Sequence, residues 1–302
     1  MIIIRNDSFD ISQMSNNYPE NSIERQILDE MNQGFGRYEY DSLEELKFEI
    51  RMRRQIIENA IDLNESEFSF EDFSKSRCNE DFWIRMNIGG FELKEGINPS
   101  DAINDIFING SRYATECATA VVIIYYKSLV DVFGEEKFNL LFPKIELVGW
   151  NIGETLLEKA AMPEMVEDII LGDRQYFYNP DVNPEEEEWQ GENVIVMPNY
   201  MYYGHGIGIK TEEEIINELN MNRKENATQS AYLNDTAGRL NFRKLEKASK
   251  IQLHIQNQQE LQETQSMQEE KEIQDNQEIS NRTNIINNTI VWKPFPEPIS
   301  KR

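Results

Sequence analysis

The chain has 302 residues, 39% hydrophobic and 10% aromatic, with a formal net charge of −25 at pH 7 and an isoelectric point near 4.5. That acidity excludes a nucleic-acid binder, which needs a basic surface to displace phosphate counterions, and favours basic protein partners. The only cysteines, Cys78 and Cys117, and the only histidines, His205 and His254, fit neither a disulfide framework nor a zinc spacing, so a reduced setting with no metal or other cofactor is expected.

The opening Met1-Ile2-Ile3-Ile4 has neither a basic lead nor a cleavage site, so no secretory leader is expected. The first forty residues are polar and Asn-rich, and Asn16-Asn17-Tyr18-Pro19 reads as loop wrapped over the domain. Ser42-Leu43-Glu44-Glu45 is a capping box, and Leu46, Ile50, Ile57 and Ile61 continue it as an amphipathic helix. A second helix starts near Ser100, carries Ala102, Ile103 and Ile106, and ends at Asn109-Gly110.

The helix that follows begins near Cys117 and runs to about Phe133-Gly134. Residues 118 to 130 are apolar almost all round, which predicts a central helix covered on most sides. Its run Val121-Val122-Ile123-Ile124-Tyr125-Tyr126 is too short to cross a bilayer, and no membrane association is expected. A thiol at such a helix start feels the positive end of the helix, which favours the thiolate. Glu116 beside it reads either as a favourable charge at the helix N-terminus or as a second carboxylate near the thiol.

From Lys144 to Pro180, short apolar runs alternate with Gly, Pro and Asp, which predicts strands and loops. Glu185-Glu186-Glu187-Glu188 reads as a solvated loop with a small capacity to steer a lysine-bearing partner. Next, Trp189 to Met197 and Tyr200 to Ile209 form two β-rich runs around Pro198-Asn199, a hairpin. A turn centred between Pro198 and Asn199 sets Glu192 opposite His205, with Cβ atoms roughly 4.5 to 5.5 Å apart. A slip of one residue would separate their faces. Thr211-Glu212-Glu213-Glu214 caps another helix. From residue 246 the text turns Gln- and Glu-rich without a sustained heptad, so the expected organisation is a folded domain over 1–245 and a flexible low-complexity tail over 246–302.

An unpaired Cys is most often a small buried hydrophobe, a lone His a hydrogen-bonded structural residue, and Glu192 reads equally as an exposed carboxylate at a strand end. Together, a thiol at a helix start and a carboxylate and imidazole on an adjacent hairpin are the parts of acyl transfer through a thioester. The glycines around His205, Gly204, Gly206 and Gly208, leave backbone open for close substrate approach.

Four blocks carry a resemblance: Tyr113 to Tyr126, Gly134 to Asn139, Trp189 to Ile195, and Gly204 to Ile209, extended by Gln229-Ser230-Ala231-Tyr232-Leu233. Over roughly residues 1 to 245 the chain resembles the spore-coat protein-glutamine gamma-glutamyltransferases of spore-forming bacteria. The resemblance implies an α+β fold, a compact papain-like or NlpC/P60-like core with a central Cys-bearing helix on an antiparallel sheet, and calcium-independent cross-linking. It implies Cys117 as nucleophile, Glu192 as base, Glu116 as a partial substitute, and His205 in the same site, with Trp189 and Trp150 walling a substrate tunnel. The implied partners are proteins presenting Gln as acyl donor and Lys as acceptor, in the spore coat and the cytoplasm of the sporulating cell. Lys247, Lys250 and Lys271 beside the tail glutamines add self-cross-linking as an expectation. A cysteine peptidase or glutamine deamidase on the same scaffold, or a non-catalytic coat protein cross-linked through its tail, remains an alternative.

Overall fold

The computed structural model describes residues 1–5, 14–150 and 164–250. In chain order its elements are β1 (Ile2–Ile4), α1 (Ile23–Gln33), β2 (Tyr38–Tyr40), α2 (Leu43–Glu65), β3 (Ser69–Phe70), β4 (Trp83–Arg85), β5 (Phe91–Leu93), α3 (Pro99–Ile108), β6 (Ala114–Thr115), α4 (Cys117–Phe133) and α5 (Glu135–Leu141). They continue with β7 (Glu146–Leu147), β8 (Glu164–Met165), β9 (Arg174–Tyr178), β10 (Gly191–Met197), β11 (Met201–Gly204), β12 (Gly208–Thr211), α6 (Glu212–Met221), β13 (Tyr232–Leu233), β14 (Thr236–Ala237) and α7 (Phe242–Lys250). No described helix is long and apolar enough to cross a membrane.

Helix α4 is the hub, packed against α2, α3, α5 and β10. Its run Val121-Val122-Ile123-Ile124 is β-branched and would favour a strand by local preference. That preference is worth a few tenths of a kcal/mol per residue, against about 1.5–3 kcal/mol for burying each side chain, so burial decides. All four are buried, as are Tyr125, Tyr126 and Leu129. The helix lies against a five-stranded antiparallel sheet in the order β12-β11-β10-β9-β13. Central strand β10 is buried on both faces, α4 on one side and a smaller cluster of Phe177, Val194, Ile207, Ile215 and Leu219 around α6 on the other.

A buried ion network locks α2 to the start of β9. Arg53 donates from Nε to Glu49 and from Nη1 to Asp173, both at 2.8 Å, and Arg239 closes on Asp173 from the far side. Each of these cations thus has a carboxylate to offset the cost of its burial.

Three expectations change here. The opening forty residues are not only loop: β1 pairs in parallel with β2, and α1 is capped by the Ser22 hydroxyl. Residues 246–250, assigned to the tail by composition, continue α7, which buries Leu245, Glu246 and Ala248 against α2, so the compact unit runs to Lys250. The remaining tail, with its glutamines and Lys271, lies outside the described residues.

The third change is the hairpin register. Met197 pairs with Met201 and Val194 with Gly204, so the turn holds three residues, one more than expected. Proline is the reason. A two-residue hairpin turn of type I′ or II′ needs positive φ at its first position, which the proline ring forbids. The left-handed backbone falls instead on Asn199 (φ 62°) and Tyr200 (φ 58°). Glu192 therefore lies beyond the end of the β10–β11 ladder and is not paired with His205.

Candidate active site

Short strands β3 and β6 run in parallel just before α4 and bring Phe70 alongside Thr115, next to the helix start. Glu116 is the N-cap: its carboxylate accepts from the N–H groups of Ala118 (2.6 Å) and Thr119 (2.8 Å) and from the Thr119 hydroxyl. The Thr119 hydroxyl also accepts from the Gly149 N–H at 2.7 Å, tying the loop that bears Trp150 to the helix start. Two of the free N–H donors at the helix start are thus engaged by Glu116.

Cys117 is buried at 9% exposure, and its sulfur receives a hydrogen bond from Asn193 Nδ2 at 3.3 Å. Burial raises its pKa well above the usual thiol value, the negative charges of Glu192 and Glu116 raise it further, and donation from the Asn193 side chain and backbone opposes them. Glu192 is 2% exposed. Burial also pushes its pKa well up, against donation from the His205 backbone N–H, while Glu116 adds to the rise. Its Oε1 has no hydrogen-bond partner among the described residues. Gly204 makes room for this side chain: a Cβ there would meet Glu192 Cγ at 2.9 Å.

The structure brings together Cys117, Glu116 and Glu192. The His205 ring turns elsewhere. Its Nε2 donates to the Ser69 carbonyl at 3.1 Å, which leaves Nδ1 to accept the Tyr203 hydroxyl at 3.2 Å. Burial lowers its pKa to about 4, so the ring is neutral and pins β3 to the hairpin. Only the backbone of His205 reaches the carboxylate.

A cavity of about 440 Å³ ends on Cys117 and Glu116, with Phe70 and Phe73 as apolar walls and Asp72, Glu187 and Glu188 at its mouth. Trp189 packs on Phe70, ring centroids 5.7 Å apart, and so backs the wall without forming it. Trp150 lies 4.5 Å from the guanidinium of Arg174, one layer behind Asn193. Among the described residues, no three His, Cys, Asp or Glu side chains converge as a metal cage.

Asn193, Arg174, Tyr176 and Phe70 were not anticipated. The Tyr176 phenol, its pKa pushed up to about 12 by burial and then by the charges of Cys117 and Glu192, stays protonated beside the pair. It sits over Gly191, where a Cβ would meet its hydroxyl at 2.2 Å. The tripeptide Gly191-Glu192-Asn193 was the available signal, since two polar residues opening an otherwise apolar strand have to find partners.

A family model described as protein-glutamine gamma-glutamyltransferase matches residues 1–249. The chain is 46% identical over 206 residues to the protein-glutamine gamma-glutamyltransferase of Bacillus cereus strain G9842, covering 68% of this chain and 74% of that protein. It is 45% identical over 210 residues to the one from Bacillus mycoides strain KBAB4, covering 70% and 75%. Among solved structures, a transglutaminase from Geobacillus stearothermophilus, without its C-terminal extension, superposes with a TM-score of 0.64 at 42% identity, over 70% of this chain and all of that one. The papain-like α+β class is that of this neighbour.

Proposed function

The chain belongs to the protein-glutamine gamma-glutamyltransferase family of acyltransferases, and on that premise we propose that Cys117 and Glu192 carry the reaction as nucleophile and base. The observation behind this pairing is a buried thiol at the end of a cavity, with a buried carboxyl beside it whose Oε1 is unpartnered among the described residues.

Glu192 takes the thiol proton, and the sulfur attacks the γ-carboxamide carbon of a protein glutamine. The tetrahedral intermediate collapses as the C–N bond breaks, and the leaving group takes the proton from Glu192 to depart as ammonia. A thioester remains. A neutral lysine amine then attacks it, Glu192 accepts the amine proton, and expulsion of the sulfur leaves an isopeptide bond. The Tyr176 phenol is a donor suited to the oxyanion of both intermediates. Glu116 acts as helix cap more than as base, because its oxygens already accept from Ala118 and Thr119.

The mouth suits the acceptor. Asp72 is held ionised, its pKa lowered to about 2 by hydrogen bonds from Ser74 and the nearby Lys75, and Glu187 and Glu188 add exposed charge around Phe70 and Phe73. A lysine offers the matching shape, an aliphatic stem with a cationic tip. The resemblance to spore-coat enzymes extends the reading to coat proteins as substrates in the sporulating cell, which a fluorescent fusion followed through sporulation tests. Self-cross-linking is tested by mapping isopeptides after incubation of the purified protein; Lys247 and Lys250 on α7 are exposed, Lys250 paired with Glu246.

Incorporation of a fluorescent primary amine into a glutamine-bearing protein, without added calcium, tests the assignment. Wild type is expected to label, and Cys117→Ala is not. Labelling by a folded Cys117→Ala variant would remove Cys117 from the mechanism.

A further inference from the structure

Arg174 on β9 is 3% exposed, yet no carboxylate meets it among the described residues. This sets it apart from Arg53 and Arg239, whose charges are received by Glu49 and Asp173. A lone buried cation is strongly disfavoured unless something compensates it. Its guanidinium makes one described hydrogen bond, from Nη1 to Asn193 Oδ1 at 3.0 Å, while Nε and Nη2 have none and the Trp150 ring covers it.

The sheet register makes that bond possible. Asn193 faces Tyr176 and Ile195 faces Arg174, so Arg174 and Asn193 are diagonal neighbours on one face of the β9–β10 pair. The other end of the Asn193 amide donates to Cys117 Sγ at 3.3 Å. An unbroken path thus runs from guanidinium to amide oxygen, through the amide, to sulfur.

The path has a direction. Turned over, the amide would set its NH₂ against the guanidinium donors, which repel it, and its oxygen against the sulfur, where it would oppose a thiolate. Arg174 therefore fixes which end of the Asn193 dipole Cys117 meets, and a cation on the oxygen makes the N–H a stronger donor.

We propose that Arg174 and Asn193 form a positioning relay that stabilises the Cys117 thiolate, Arg174 supplying the charge and Asn193 carrying it to the sulfur. In many cysteine enzymes an imidazolium supplies that charge; here the only described imidazole is neutral and bonded to Tyr203 and Ser69. The ionisable groups around the relay are Glu116 at the helix start, Glu192 on β10, Tyr176 on β9 and Tyr125 on α4. The two carboxylates oppose the thiolate, and Arg174 is the one cation among these groups.

The inference rests on Cys117 as nucleophile, so its test is made to fail separately from that reading. The pH dependence of Cys117 alkylation by iodoacetamide is followed by peptide-resolved mass spectrometry, with Cys78 as internal reference, and it needs no transglutaminase turnover. In Arg174→Met the alkylation midpoint is expected to move up by about one pH unit, a tenfold fall in thiolate at fixed pH. Turnover should fall about tenfold with the KM for the glutamine donor within about twofold, as for a group that acts through the nucleophile. Arg174→Lys should recover part of the shift. Asn193→Asp, nearly the same shape but with an anion toward the sulfur, is expected to move the midpoint further up and serves as second variant should Arg174→Met fold poorly. A merely structural role would lower the melting temperature and leave the midpoint in place. Wild-type midpoints in both folded variants would overturn the relay, whereas amine labelling by Cys117→Ala would overturn the underlying assignment.

Discussion

Gly204→Ala tests the placement of Glu192 without replacing either reacting group. An added Cβ would sit 2.9 Å from Glu192 Cγ, 3.2 Å from Oε1 and 3.3 Å from Cδ. Carbon atoms rest at about 3.5–4.0 Å, so the side chain has to retreat by at least ~0.6 Å. Gly204 is not among the positive-φ residues, so alanine brings no backbone strain there and the disturbance falls on Glu192. The carboxyl is buried and held by the His205 N–H, which leaves it little room to restore its position. A misplacement of 1 Å at a reacting group is worth about a hundredfold in rate, so ~0.6 Å predicts a fall in kcat of about tenfold, with KM for the glutamine donor within about twofold. Overpacking adds a stability loss of about 1–3 kcal/mol. Initial rates of amine incorporation give kcat, thermal melting gives the fold, and alkylation of Cys117 shows that the nucleophile remains. A variant with a lowered melting temperature and an unchanged kcat would mean that the Glu192 carboxyl takes no part in proton transfer.

Three further outcomes separate the roles of neighbouring groups. Glu192→Gln is expected to lower kcat by about 10²–10⁴-fold as loss of a general base, whereas Glu116→Gln should change kcat only a few-fold and lower stability by about 1 kcal/mol as loss of an N-cap charge. The reverse order in amine-incorporation rates would exchange their roles. Burial holds the His205 pKa near 4 against an ordinary 6.5. Between those values the unfolded chain binds a proton that the folded one does not, so stability present in full above pH 6.5 is lost as the pH falls toward 4, by up to about 3 kcal/mol. Urea midpoints across that window should slope less in His205→Gln than in wild type, and equal slopes would refute the buried neutral ring. Glu187→Gln with Glu188→Gln should raise the KM for a cationic amine about two- to fivefold at low salt, with the difference vanishing near 0.5 M salt as screening shortens the reach of exposed charge. A salt-independent change would show contact rather than steering.

The parts of the fold readable in advance were those whose signal is local. Ser42 and Thr211 announce their helices because a side chain satisfies backbone groups within one turn, and the all-round apolar stretch after Cys117 has no arrangement that buries it except as a central helix. The hairpin was readable as a hairpin but not in register, because Pro198 converts a two-residue turn into a three-residue one, and a single residue decides what Glu192 faces. Asn193 and Arg174 were hidden for another reason. Strands β9 and β10 are largely buried on both faces, so period-two alternation vanishes, and nothing local shows that one strand's arginine meets the next strand's asparagine across a diagonal. Helix α1 was missed because it is one short amphipathic turn system in a polar, Asn-rich opening, and Ser22 was its main marker.

Among the described residues no titratable histidine faces the sulfur, and this has a physical logic. Burial raises the pKa of both Cys117 and Glu192, and the charge of Glu192 raises that of Cys117 further, so charging both at once is disfavoured and the assigned reaction runs with one negative charge on the pair. With Glu192 as base, thiol plus carboxylate and thiolate plus carboxylic acid differ by the place of one proton, not by total charge. Desolvation weighs on both forms, and the step moves a proton between two buried groups without adding charge to the site. The balance then depends on what else faces the sulfur, which is where a buried guanidinium acting through Asn193 tilts it toward the thiolate. Once the thioester forms, the sulfur is neutral and the negative charge of the pair rests on Glu192. Its carboxylate is thus free to take a proton at the stage when the lysine amine arrives, and the same single charge serves both halves of the cycle.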